Sequence, residues 1–233
     1  MLKNVLCHTI YTDTLYKTKH GSQPTVIDCG ANKGEFSYYA NKEFNAICYG
    51  FEPDPRLFSS LIERDDISYY ELAVGSREGT ARLNLGNQHC SSIKYNESPS
   101  QDFVDVKIIS LENFCIEKKI RAIDLLKVDI EGAELDLFEN FSDEFLEKIS
   151  QVTIEFHDFL NKGDIPRIKS ILKKMKKKGF YVLRLSHFTY GDILMLNSNH
   201  INITHGKKIT FILNKYIVGI NRFLSKIIFK IGK

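Results

Sequence analysis

Four short apolar runs in this chain each end in a residue able to do chemistry. They are V-I-D-C-G-A-N-K-G with Asp28, A-I-C-Y-G-F-E-P-D-P with Glu52, L-L-K-V-D-I-E-G-A-E with Asp129, and V-T-I-E-F-H with Glu155 and His157. Gly30 and Gly34 let the backbone turn sharply after the first run and approach a ligand closely. Asn32 and Lys33 stand in that turn, so the spacing is not the G-x-G-x-x-G that rests a pyrophosphate on a helix N-terminus. An acid at Asp28 would repel a pyrophosphate and suits a ligand carrying an ammonium group. Glu52 follows Gly34 by 18 residues, one helix plus one strand later. A carboxylate there accepts hydrogen bonds from both hydroxyls of a ribose, and Pro53 and Pro55 fix the turn beyond it.

Asp129 and Glu131 flank the end of a buried run and must be paired, hydrogen-bonded or ligand-facing. Glu134, at the start of the next helix, complements the helix dipole. Glu155 and His157 are two residues apart, so a strand continuing through them puts both on one face. Histidine is the side chain most readily poised as a base near neutral pH, which makes His157 the expected base, with Asp129 or Glu155 orienting it or the substrate. The other use of Asp129, Glu155 and His157 is to hold a divalent ion that lowers a hydroxyl's pKa. Such a mixed donor set suits a transition metal better than magnesium, but no diagnostic metal motif supports it, so no metal is expected.

The elements that must position these groups alternate. Strands are expected at Thr25–Cys29, Ala46–Phe51, Ser68–Val74, Asp124–Val128 and Val152–Phe156, with helices at Phe36–Lys42, Arg56–Glu63, Leu111–Glu117, Glu134–Asn140 and Ile165–Lys178. Thr80–Leu85 and Val104–Ile109 alternate like paired strands around a polar loop, Gly86–Asp102, and Tyr181–Leu185 and Ile193–Leu196 close the chain's regular part. This is an α/β, doubly wound pattern: about five parallel strands and a C-terminal antiparallel hairpin. Ligands bind outside the carboxyl ends of such strands, where Asp28, Glu52, Asp129 and Glu155/His157 all fall. Residues 1–24 read as a lead-in, 25–200 as the main domain with a polar insertion at 80–110, and 201–233 as a basic amphipathic tail.

Composition narrows the class. With 43% hydrophobic and 26% charged residues, the 233-residue chain has enough apolar mass for a full core. The five cysteines show no C-x-x-C spacing, which points to reduced structural thiols. The N-terminus lacks a signal-peptide pattern and no 18-residue apolar span occurs, so a cytoplasmic protein is expected. Lys173–Lys178 reads K-K-M-K-K-K, but Ile168, Ile171, Leu172 and Met175 recur at helical spacing. The lysines are then the solvated face of an amphipathic helix, and no nucleic-acid partner is expected.

The runs V-I-D-C-G-A-N-K-G-E-F-S, Y-G-F-E-P-D-P, E-L-A-V-G-S-R-E-G, L-L-K-V-D-I-E-G-A-E and I-E-F-H occur in the order and spacing of the FkbM-type methyltransferases, which residues 25–160 resemble. The resemblance implies a class I Rossmann-like fold, S-adenosylmethionine as cofactor, and O-methylation, often of a sugar hydroxyl in a glycan or natural product. It implies that Asp28, Gly30, Asn32 and Gly34 wrap the methionine end. Glu52 with Pro53 would hold the ribose, the Glu71–Val74 loop with Ala73 and Val74 would border the adenine, and Asp129 would close the site. Ser91 and Ser92 are implied to face the substrate, as is Glu131. Rival classes are a non-catalytic cofactor-binding protein and an NAD-dependent dehydrogenase, the latter disfavoured by Lys33 where a close glycine is needed.

The tail lies outside the resemblance. No Asp or Glu follows Asp192, while Lys207, Lys208, Lys215, Arg222, Lys226, Lys230 and Lys233 do. On a helix, positions 215, 222, 226, 230 and 233 project within about 80° of one another, beside a wide apolar face. That pattern suits peripheral contact of residues 207–233 with an anionic membrane, or packing on protein with the lysines in solvent.

Overall fold

Apolar runs of four or five residues are too short for helices, and here they become strands buried on both faces. The structure is a computed structural model describing residues 2–5, 8–16, 23–85, 92–93, 103–157, 161–186, 189–211, 213 and 216. A hairpin of β1 (Leu2–Val5) and β2 (His8–Tyr11) leads into the short helix α1 (Thr12–Tyr16). Then follow β3 (Thr25–Cys29), α2 (Glu35–Phe44), β4 (Ile47–Phe51), α3 (Pro55–Phe58) and β5 (Ile67–Tyr70). A second sheet is built from β6 (Ala73–Gly75), β7 (Gly79–Asn84), β8 (Ser92–Ile93) and β9 (Phe103–Ser110). The main alternation resumes with α4 (Leu111–Glu117), β10 (Leu125–Val128), α5 (Glu134–Asn140), α6 (Asp143–Leu146) and β11 (Gln151–Ile154). It closes with α7 (Ile165–Lys177), β12 (Phe180–Arg184) and β13 (Ile193–Asn197).

The main sheet has the order β12-β13-β11-β10-β3-β4-β5. All its strands run parallel except β13, which is inserted antiparallel between β11 and β12. The chain winds outward from β3 to β5 and then from β10 the other way, so the switch point opens between the carboxyl ends of β3 and β10. Side chains alternate between two cores. Ile27, Leu126, Val128 and Ile154 pack with α4, α5 and α7, while Val26, Cys48 and Leu125 pack with α2. On α7, Ile168, Ile171, Leu172 and Met175 are buried and Lys173, Lys176 and Lys177 are exposed, the amphipathic arrangement expected from sequence.

Several boundaries differ from expectation. The single strand expected over Ser68–Val74 is two strands in different sheets, because a tight turn in which Leu72 N donates to Tyr70 O breaks it. The helix expected over Arg56–Glu63 ends at Phe58. Ser59 and Ser60 hydroxyls donate to the carbonyls of Arg56 and Leu57, competing with helix propagation. The strand expected to reach Phe156 stops at Ile154, so Glu155 and His157 do not share a strand face. The stretch expected as a lead-in contains a built-in hairpin: Ile10, Tyr11 and Leu15 are buried. Tyr11 exchanges hydrogen bonds with the side chain of Gln151, and Thr9 donates to Asp192. Gly86–Ser91 lies outside the described residues, as does most of the tail.

Candidate active site

The first turn of the site is fixed by its backbone. Gly30 has φ +84°, and a Cβ there would stand 1.8 Å from the carbonyl oxygen of Asp129, so only glycine lets β3 and β10 deliver their ends this close. Asn32 also takes a left-handed conformation (φ 51°), as does Gly34, which caps α2. Beneath the turn, Asp28 and Lys127 face each other across the β3–β10 ladder. Both are buried, with Lys127 Nζ 3.0 Å from Asp28 Oδ1. The ammonium also donates to the carbonyls of Cys29 and Gly30, and Ser37 at the start of α2 donates to Asp28 Oδ2 at 2.7 Å. Burial alone would lower the Lys127 pKa, but the negative charges of Asp28 and Asp129 outweigh it and raise it.

At the end of β4, Glu52 is 5% exposed and its two oxygens accept one backbone amide each, from Asn32 at 2.8 Å and Asp54 at 2.9 Å. Each oxygen keeps a further acceptor direction. Burial pushes the Glu52 carboxyl up. Glu52 and Asp129 both line a cleft of about 250 Å³ over the switch point, whose apolar wall includes Phe51, Leu72 and Val74.

At the other side of the cleft Asp129 stands between two imidazoles. His8 Nε2 lies 3.3 Å from its Oδ2 and His157 Nε2 3.8 Å from its Oδ1. Burial would raise the Asp129 carboxyl, but the His8 hydrogen bond and the charge of Lys127 hold it down at about 2. His157 is itself gripped, its Nε2 3.1 Å from Glu131 Oε2 and its Nδ1 3.0 Å from Glu134 Oε1. Glu134, 1% exposed, also accepts the amides of Ile130 and Gly132, which fixes the turn carrying Glu131.

Residues 28–182 match the methyltransferase FkbM domain family. The chain belongs to the FkbM methyltransferases. It is similar to Methyltransferase 1 of Beauveria bassiana, with 28% identity over 186 residues that cover 67% of this chain and 72% of the relative. The 2-O-methyltransferase NoeI of Sinorhizobium fredii is 24% identical over 197 residues, covering 75% and 80%. The fold resembles the solved methyltransferase FkbM of Methylobacillus flagellatus with a TM-score of 0.50 at 16% identity. That match covers 74% of this chain and 43% of that one.

Of the residues expected at the site of this FkbM methyltransferase, Gly30, Asn32, Glu52, Pro53, Ala73, Val74, Asp129 and Glu131 line the cleft. Asp28 does not: its carboxylate is spent on Lys127 and Ser37 below the floor, so it positions the turn instead of touching a ligand. Gly34 stands behind the turn, packed against Tyr69. Ser91 lies outside the described residues, while Ser92 pairs with Asn84 in β8. Glu155 and His157 back the cleft without lining it. The alternative ion set of Asp129, Glu155 and His157 is divided. Asp129 groups with His8 and Glu155, and separately with Glu131 and His157. In the latter group His157 Nε2 lies 3.1 Å from Glu131 Oε2 and 3.8 Å from Asp129 Oδ1. His8 and Lys127, which sequence analysis passed over, both line the cleft.

The histidine expected as base is the clearest correction. Burial opposes its charge, but hydrogen bonds to Glu131 and Glu134 raise the His157 pKa to about 11. An imidazolium cannot accept a proton. Because this value lies above the ordinary one, stability from these pairs is complete below about pH 6.5. It is lost progressively as pH rises toward 11. In nitrogen-detected NMR, His157 should therefore show both ring protons from pH 6 to 9; a titration centred near 6.5 would restore it as a base.

Proposed function

We propose that this FkbM methyltransferase transfers a methyl group from S-adenosylmethionine to a hydroxyl oxygen, that of a sugar in a glycan or natural product. The observation that carries the cofactor assignment is Glu52. Its carboxylate faces the cleft with each oxygen anchored by one amide and one acceptor direction left, a match to a ribose diol. Pro53, Ala73 and Val74 offer the adenine an apolar border, while the turn from Gly30 to Asn32 wraps the amino-acid end. Asp129 gives the cationic part of the cofactor a counter-charge. The cofactor supplies a methyl group already activated on a sulfonium.

The chain's own task is to align the acceptor oxygen and take its proton. Asp129 is the group we assign to both. As the oxygen–carbon bond forms, the hydroxyl becomes far more acidic than any carboxylic acid, so a carboxylate held at about 2 can receive its proton. His8 and His157 hold Asp129 from both sides, and Glu131 faces the acceptor. Two carboxylates at one end of the cleft suit a polyhydroxylated acceptor, and the name of NoeI, a 2-O-methyltransferase, agrees with oxygen as the atom methylated.

Transfer of radiolabel from S-adenosylmethionine to a panel of glycans and free sugars tests the reaction. Calorimetry tests the site: Glu52→Gln should weaken cofactor binding about 10- to 100-fold, the loss expected for one to two charge-assisted hydrogen bonds. Wild-type affinity in that variant would remove the ribose assignment.

A further inference from the structure

Among the described residues, the helix at 205–211 is anchored on the domain through Phe211. Phe211 is 2% exposed and meets the Tyr11 ring edge-on at 5.2 Å. Turned about 140–200° from it on a helix, Ile209, Leu213 and Tyr216 are 60%, 58% and 54% exposed. Their spacing of four and three residues puts them within about 60° of one another. The sequence carries the same spacing onward through Ile220, Phe223, Ile227 and Ile231. Lys207 and Lys208 are held over the Tyr11 and Tyr181 rings, at 5.6 and 5.4 Å.

We propose that this exposed apolar face, with the cations that accompany it, rests on an anionic membrane surface. Two occupants suit an apolar stripe of this period, a second copy of the helix or a lipid interface. Charge decides between them. Every charged residue after Asp192 is a lysine or arginine, so pairing two copies would set like charges side by side with no acid to offset them. An anionic bilayer supplies apolar depth for the isoleucines and negative headgroups for the cations.

Sedimentation of the full chain with vesicles tests this. Phosphatidylcholine vesicles containing about one third phosphatidylglycerol should pellet the protein at low salt. Neutral vesicles should do so at least tenfold less well, and high salt should release it. Ile209→Asp with Leu213→Asp should lose at least tenfold in binding. Both side chains point to solvent, so the melting temperature should be unchanged. The proposal is overturned if the wild type stays in the supernatant with anionic vesicles at low salt, or if the double variant binds as well. It is also overturned if lipid-free protein is a dimer that the double variant dissociates.

Discussion

Replacing Lys127 with methionine should cost about 3–5 kcal/mol of folding stability at pH 7, the range for a buried charge deprived of its partner. Lys127 is 4% exposed and Asp28 is fully buried, so water cannot take over the lost contact. Only the Ser37 hydroxyl would remain on the carboxylate, and the carbonyls of Cys29 and Gly30 would lose their donor. Two further results distinguish this from simple loss of packing. The double variant Lys127→Met with Asp28→Asn should recover much of the deficit, since the uncompensated charge is gone. The single variant Asp28→Asn should lose less than Lys127→Met, since the lysine left behind keeps the carbonyls of Cys29 and Gly30 as partners. Urea unfolding at pH 7 measures both, and a loss below about 1 kcal/mol in Lys127→Met would show that the pair contributes little.

Asp129→Asn should lower kcat by about 10²–10⁴-fold, the span for a lost acid–base group. Cofactor affinity in calorimetry should fall by about tenfold, the loss of one counter-charge, so the effect on kcat at saturating cofactor exceeds it. His157→Gln, by contrast, should keep kcat within about tenfold, because the imidazolium supports Asp129 and Glu131 without receiving the proton. The wild-type pH profile should lack an acidic limb near pH 6.5, since Asp129 is ionised far below that. If His157→Gln is the crippled variant and Asp129→Asn is not, the roles assigned here are reversed.

The glycine turn, the ribose acid and the alternation of strands and helices could all be read from sequence, because each is local. Thr25–Cys29, Leu111–Glu117 and Glu134–Asn140 fold within the expected bounds. What was not legible depends on partners distant in the chain. Nothing around His8 marks it; it reaches Asp129, 121 residues away, only because the N-terminal hairpin packs beside β11. Lys127 did carry a signal: a lysine inside L-L-K-V-D must meet an acid if that strand is buried. Glu134 was assigned to the helix dipole, yet its main partners are two amides and His157. For the same reason the protonation state of His157 was hidden, since it is set by acids on another loop.

The antiparallel β13 is the last strand among the described residues, yet it lies inside the sheet, between β11 and β12. During synthesis β11 and β12 therefore emerge with facing edges that have nothing to pair with until residues 193–197 exist. The half of the sheet from β5 to β10 needs no later strand and can form first, with β3 at its centre. Completion then waits on one late insertion that links residues far apart in the chain, a step of high contact order. Until it happens, the nascent protein carries two open edges of the kind that pair indiscriminately with other chains. The hairpin that brings His8 packs on β11 and β13 together, so catalytic competence and relief from aggregation arrive in the same late event.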